Sequence, residues 1–428
     1  MQSFRLVINA SASLSLLALA LTIALNDVAL DVEGLAQPDA TKLLKPCPAT
    51  KWGSPVPQLS KQATISSAGE LSPLGESRGV PFLKTIISPR NSNIGGDDDI
   101  TSEEENSWIQ QNASDIMKMV DDHGAVVFKE FNLPKTREGF REFCDALSPL
   151  EACEDALAEI GVRSLLSVSD GVYRAVDSEK LANTYIGLHN DCTYKLAPPY
   201  AAFACLHQAD SGGEFLLADG REVLQALDPN VVKKLCERGL RVRVATIPTP
   251  FLAKTIENSR DVGASSGAAL QDLGSQLLER IVGWGVRVFF TKLALEVAFT
   301  EDREMLQILE PLKSPLNAHP KDGKLSFFSG IHSQSAYLQQ KRAADAFSGV
   351  AMTDVFYGED DATGAPMEAI ETETLDHIED VIDRHTTRLL MKPGDVVLLD
   401  SYQVLHGRAT FKGFREHAVI WLTNEDYY

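Results

Sequence analysis

Apolar residues recur along this chain with two different periods. In "NASDIMKMVDDHG", Ile116, Met119 and Val120 fall three and four positions apart behind a Ser or Asp cap. Gly124 ends the run, so the pattern predicts a helix. "AVVFKEF" then reads as a strand and "TREGFREFCDAL" as a second short amphipathic helix. "YIGLHND", "AAFACLH" and "EFLLADG" are strand-like runs separated by turn residues. Helical patterns follow in "REVLQAL", "NVVKKLCERG", "AALQDLGSQLLERIVGWG", "QSAYLQQKRAADAF" and "TETLDHIEDVIDRHTTRLL", with short strands predicted at "RVRVAT" and "VRVFF". "DVVLLDS", "QVLHGRA" and "EHAVIWLTN" return the chain to strands. Helices and strands do not alternate regularly, which argues against a doubly wound parallel sheet. Strands at both ends of a segment, with helices between, predict a mainly β sandwich or barrel carrying flanking helices and a helical insertion.

The front of the chain reads differently. "MQSFRLVINASASLSLLALALTIALND" has one cation, Arg5, then an apolar stretch and a polar break. Leu14–Leu25 has the length of a signal h-region and is short for an unaided membrane span. Residues 1–25 therefore read as a targeting segment for the secretory route or an organelle, with no stable membrane span after processing. Left uncleaved, Leu6–Leu25 could anchor the protein. From 26 to 105 the chain is rich in Pro, Ser, Gly and Lys and closes on the charge run "GGDDDITSEEE", which reads as an extension or linker with a solvated acidic loop. Residues 106–428 form the expected folded body. Asn112-Ala113-Ser114 is a glycosylation sequon at the start of a predicted helix, a poor position for occupancy.

Composition narrows the function classes. A hydrophobic content of 44% and a charged content of 23% suit a soluble globular protein. The formal net charge of −20 argues against a nucleic-acid surface, which needs concentrated Lys and Arg, and weakly against an anionic membrane. The partner expected is a small molecule; the sequence does not reveal an oligomeric state. The six cysteines, Cys47, Cys144, Cys153, Cys192, Cys205 and Cys236, show no CxxC and read as buried free thiols rather than a zinc or disulfide framework.

The chemistry begins at "GLHNDCTY". In a strand, His189 and Asp191 project from one face, and an imidazole with a carboxylate suits a divalent first-row metal. An H-x-D triplet alone is weak. His406, between two strand-like runs near the C-terminus, supplies a third ligand, and two His with one carboxylate form the facial triad of non-haem Fe(II) oxygenases. Arg415, nine residues on, carries a guanidinium fork suited to the distal carboxylate of a keto acid.

These motifs resemble the TauD/TfdA group of Fe(II)/2-oxoglutarate-dependent dioxygenases, in particular its SyrP-like and γ-butyrobetaine-hydroxylase-like members. "HGAVVFKEF" resembles the family's early strand. "LHNDCTYKLAPPYAAFACLHQADSGGEF" resembles its metal motif, Pro pair and Gly-Gly turn, and "KPGDVVLLDSYQVLHGRATFKGFRE" its distal His and Arg motif. The order is the family's, over roughly residues 115–425. The resemblance implies a double-stranded β-helix, or jelly roll. It implies iron held by His189, Asp191 and His406, 2-oxoglutarate held by Arg415, and O2 as the other cosubstrate. The implied reaction is hydroxylation, or a related oxidation such as desaturation, of a small amino-acid-, betaine- or amine-like substrate, with release of succinate and CO2. Two positions depart from the family. Phe215 stands where a Thr usually helps hold the keto acid, and Ser329 stands where an Asn usually follows the Phe-Phe strand. Asp191 disfavours the halogenase variant, which lacks the carboxylate.

Other candidates have plainer readings. Arg408 could reach the keto acid or brace its loop. His207 reads as core or as support for the site, His319 as a turn residue, and His332 as a residue before a helix that could face the cavity. His123, His377, His385 and His417 read as helix-end or surface residues. Cys192 points away from the His189/Asp191 face, and Trp284, Phe289 and Phe290 read as core. Phe215 keeps open an iron oxygenase that does not use 2-oxoglutarate; a degenerate, non-enzymatic binding protein of the same fold is the third reading.

Overall fold

The computed structural model describes residues 45–46, 79–89, 100–154, 165–167, 171–175, 182–190, 198–248, 296–299, 305–343, 353–358 and 367–427. The chain divides into two compact units. One comprises Ala36–Arg241 with Leu312–Tyr428 and holds the site residues discussed below; the other includes Val242–Pro311.

Two main sheets form the core of the first unit. The larger runs in the order Lys45–Pro46, Glu151–Glu154, Glu416–Thr423, Tyr200–His207, Val396–Asp400, Ala125–Lys129, Lys84–Ile87. The smaller runs Thr387–Leu389, Phe215–Asp219, Val404–Arg408, Ile186–His189, all antiparallel. Alternation along each strand sorts the side chains by face. Ala201, Phe203, Val397, Leu399, Val419 and Trp421 of the larger sheet meet Phe215, Leu217 and Val404 of the smaller in one buried cluster. The alternate residues Ala202, Leu398 and Ile420 pack instead with Ile109, Ile116, Phe140 and Phe143 of the covering helices. This is the β sandwich that the strand pattern predicts, and the jelly-roll core with flanking helices that the family resemblance implies.

The Ser102–His123 helix begins earlier than its apolar pattern suggests. Thr101 accepts from the Glu104 N–H while Glu104 reaches back to the Thr101 N–H, a capping box. Glu103, Glu104 and Glu105 sit in the first turn, where the helix dipole favours anions. The end of the acidic run is thus a helix start rather than a solvated loop. Glu105 is fully buried; its carboxylate accepts from the Asn132 and Leu133 N–H groups and from the Ser88 hydroxyl. Lys84–Ile87, inside the expected extension, pairs in parallel with Ala125–Lys129. Asn112 lies in mid-helix and donates to the Trp108 carbonyl at 2.8 Å.

Other local readings change too. Thr387–Leu389 is a strand rather than the end of a helix, because the Thr372–Arg384 helix stops at His385. Cys144, Cys205 and Cys236 are buried free thiols, but Cys153 is disulfide-bonded, against the free-thiol reading. In the second unit, residues 243–248 pair antiparallel with Met305–Leu309, which pairs with Glu296–Phe299. The helix expected at "AALQDLGSQLLERIVGWG" and the strand at "VRVFF" lie outside the described residues, as does the targeting segment. No helix among the described residues is long and apolar enough to cross a membrane.

Candidate metal and cosubstrate site

His189 ends the Ile186–His189 strand, and His406 is the middle residue of Val404–Arg408. The two are direct partners across this antiparallel pair. Direct partners place their side chains on one face of the sheet. The imidazole centroids are 4.8 Å apart, with the rings inclined at 43°. An imidazole bonded to a first-row metal at about 2.1 Å puts its centroid roughly 3.2 Å from the ion. Two rings this close on one face of the sheet could both reach a shared ion. The pair therefore suits two adjacent ligands of one metal.

Supporting contacts fix both rings. His189 Nδ1 lies 2.9 Å from the Gly187 carbonyl, to which its N–H donates, which turns the Nε2 lone pair outward. His406 lies against Phe203, centroids 4.9 Å apart, and stacks on Phe215 at 6.0 Å and 11°. Phe215, the departure from the family's Thr, thus packs flat along one of the proposed ligands. Asp191, expected as the third ligand, lies outside the described residues, as do Cys192, Trp284, Phe289 and Phe290.

The supporting contacts of Asn190, His332, Gly187 and Ser329 carried no clear sequence signal. Asn190, between the expected ligands, donates to the carbonyls of Ser401 and Val404 at 3.0 and 3.1 Å. It thereby ties the His189 segment to the turn that leads to His406. His332 is fully buried, and its Nδ1 accepts the Leu188 N–H at 2.8 Å on the outer edge of the smaller sheet. Burial, then Arg342 and His189, push its pKa well below the ordinary histidine value. Gly187 permits this approach, since a Cβ there would stand 2.3 Å from the His332 carbonyl oxygen. Ser329, the second departure, accepts the Ile331 N–H at 3.1 Å and so starts the short Ile331–Gln334 helix that bears His332.

Arg415 and Arg408 are both buried, and both guanidiniums lie beside the Phe411 ring, at 5.9 and 4.7 Å. Arg408 donates to the carbonyls of Ala409 and Thr184, which favours the bracing reading. Arg415 Nη2 lies 3.1 Å from His417 Nδ1. Gly213, at φ +76, leaves room for Arg415: a Cβ would stand 3.2 Å from its Cδ.

Several histidines lie elsewhere than expected. His417 is buried on the last strand, not at a helix end or the surface, because its face of Glu416–Thr423 turns toward the smaller sheet. Burial, then Arg415 and Arg408, push its pKa well below the ordinary value. His207 is exposed beside Phe414 rather than in the core. His319 is buried and its Nε2 donates to Asp400 at 2.9 Å. His123 and His385 do lie at helix ends, and His377 accepts the Asp228 N–H at the surface.

The chain is similar to several known proteins. The curated dapdiamide synthesis protein DdaC of Enterobacter agglomerans is 23% identical over 306 residues, covering 70% of this chain and 82% of that protein. PvcB of Pseudomonas aeruginosa superposes with a TM-score of 0.39 at 13% identity, over 72% of this chain and 79% of that one. An asparagine oxygenase solved with Fe(II), 3-hydroxyasparagine and succinate gives 0.39 at 13%, over 77% and 86%. Superpositions this loose carry no detail across. The family model described as taurine catabolism dioxygenase TauD, TfdA family matches residues 87–421, which include the smaller sheet, most of the larger one, both histidines and Arg415. By that match the chain belongs to the TauD/TfdA family, whose members are Fe(II)- and 2-oxoglutarate-dependent dioxygenases.

Proposed function

We propose that this protein oxidises a small amino-acid-, betaine- or amine-like substrate, by hydroxylation or a related reaction, with iron held by His189, Asp191 and His406 and 2-oxoglutarate held by Arg415. The observation that carries the reading is the cross-strand pairing of His189 with His406, rings 4.8 Å apart, in a chain of this family. When bound, iron and 2-oxoglutarate supply the oxidising chemistry, with O2 consumed and succinate and CO2 released. The chain's own residues bind, orient and keep the site dry. His189 and His406 present imidazole nitrogens from adjacent strands. The Gly187 carbonyl fixes the His189 tautomer. Phe203 and Phe215 exclude water on the His406 side. Arg415 offers a buried fork to the distal carboxylate of the keto acid.

The test is a succinate-release screen of purified protein with Fe(II), ascorbate and 2-oxoglutarate across amine, amino-acid and betaine candidates. His189→Ala, Asp191→Ala and His406→Ala should each lose iron binding, measured by titration, and turnover. Full 2-oxoglutarate decarboxylation by any of them would refute the ligand assignment. A second reading is favoured by Phe215 alone: an iron oxygenase without 2-oxoglutarate. Turnover independent of added 2-oxoglutarate would select it, and iron binding with no turnover at all would select a binding protein.

A further inference from the structure

We infer that His417 is a positioning residue for Arg415: its Nδ1 accepts a guanidinium N–H and fixes the orientation in which that cation meets a carboxylate. The inference rests on the reading of Arg415 as the holder of 2-oxoglutarate. Both side chains are 3% exposed, and Arg415 Nη2 lies 3.1 Å from His417 Nδ1. The two residues flank Glu416, where the pairing of the last strand with Tyr200–His207 shifts register. Such an irregularity re-aims the side chains beside it. Glu416 is itself held by Arg137, at 2.5 Å to Nη2 and 3.1 Å to Nε, so the start of the strand is fixed on that side as well.

The electrostatics agree with the geometry. An imidazole that accepts at Nδ1 carries its proton on Nε2 and is neutral. His417 sits among two cations, Arg415 and Arg408, in a buried place, and all three influences oppose its protonation. A guanidinium is a rigid fork, so fixing one N–H fixes the directions of the others. The Phe411 ring beside Arg415 limits where that fork can turn, and the bare Cα of Gly213 leaves room for its stem. A carboxylate would meet a guanidinium already oriented rather than one that must be ordered on binding, which lowers the entropic cost of association.

The experiment uses the full chain, loaded with Mn(II) without oxygen, and measures 2-oxoglutarate binding by calorimetry beside steady-state kinetics. His417→Leu should bind 2-oxoglutarate about ten-fold more weakly, as expected for a lost hydrogen bond at a charged group. KM for 2-oxoglutarate should rise in step, with kcat at saturation nearly unchanged. His417→Asn should recover most of the affinity, because its carbonyl oxygen can take the place of Nδ1. Should the leucine variant fail to fold by urea titration, His417→Met carries the same comparison. Arg415→Leu is the control on the underlying reading: unchanged 2-oxoglutarate binding there would remove the role of Arg415 itself. Loss of binding in Arg415→Leu with wild-type binding in His417→Leu or His417→Met would overturn only the positioning role. Equal loss in the leucine and asparagine variants would also overturn it, since packing rather than the hydrogen bond would then be responsible.

Discussion

Phe215 decides two things at the scale of a single side chain. It removes the hydroxyl that the family pattern places beside the keto acid, and it lays an aromatic face along His406 while touching Phe203. A buried ring in that position acts through packing, so Phe215→Ala should destabilise the protein by about 3–5 kcal/mol. Urea unfolding checks this, and a loss below about 1 kcal/mol would mean that the site collapses to fill the space. Asn190 works differently. Its amide donates to one carbonyl on the neighbouring turn and to one at the start of the Val404–Arg408 strand, and so ties together the segments that bear the two histidines. Groups that orient metal ligands typically alter metal affinity by about 10–100-fold when removed. Asn190→Ala should therefore weaken Mn(II) binding within that range in a direct titration, while the protein still unfolds cooperatively.

Elements carry the next level of support. The Ile186–His189 strand lies at the edge of its sheet, and the Ile331–Gln334 helix covers that edge through His332. His332→Leu would leave the Leu188 N–H buried without its acceptor, which costs about 1–3 kcal/mol. The expected result is a matching drop in unfolding free energy together with weaker Mn(II) binding, because His189 follows Leu188 directly. An unchanged metal affinity would show that the strand holds its place without the imidazole. At the end of the Val396–Asp400 strand, Asp400 accepts from His319 Nε2, from Gln403 Nε2 at 2.6 Å and from the Tyr402 N–H at 2.9 Å. Burial alone would raise the Asp400 carboxyl, but these donors hold it below the ordinary carboxylate value. Arg221 and Asp322 extend the network beyond His319. His319→Leu removes one donor from a buried charge and should cost about 1.5–3 kcal/mol in urea unfolding.

Across the whole molecule these buried groups predict a response to acid. His332 and His417 have folded pKa values well below the ordinary value near 6.5. The unfolded chain therefore takes up protons below about pH 6.5 that the folded chain does not. Stability should fall as pH drops from 7 to 5, by up to about 1.4 kcal/mol per pH unit for each histidine. Asp400 adds a second loss at lower pH. Its depressed pKa contributes stability above the ordinary carboxylate value near 3.9, and this is lost as pH falls through the folded value. Urea unfolding at pH 7.5, 6.5 and 5.5 measures the first phase. His417→Asn removes one titrating group and should show a shallower decline; an identical slope would mean that His417 titrates alike in both states.

Much of this architecture is written in local pattern. Period-two alternation in "AAFACLH", "DVVLLDS" and "EHAVIWLTN" predicts strands that the structure contains, because each must bury one face against the other sheet and one against helices. The sequence also nominates His189, His406 and Arg415 as candidates, since few side chains suit a metal or a carboxylate. The capping box at Thr101 was readable in principle as Thr-x-x-Glu, although the charge run concealed it. The partners of each group were not readable. Nothing near His417 in the sequence says that its face of the last strand turns inward beside Arg415, and nothing near His332 or His319 names Leu188 or Asp400, residues 144 and 81 positions away. A sequence fixes the chemistry each side chain can offer and the period with which it is presented. Which groups meet, how deeply they are buried and whether an imidazole stays neutral depend on long-range strand pairing, and only the tertiary structure decides that.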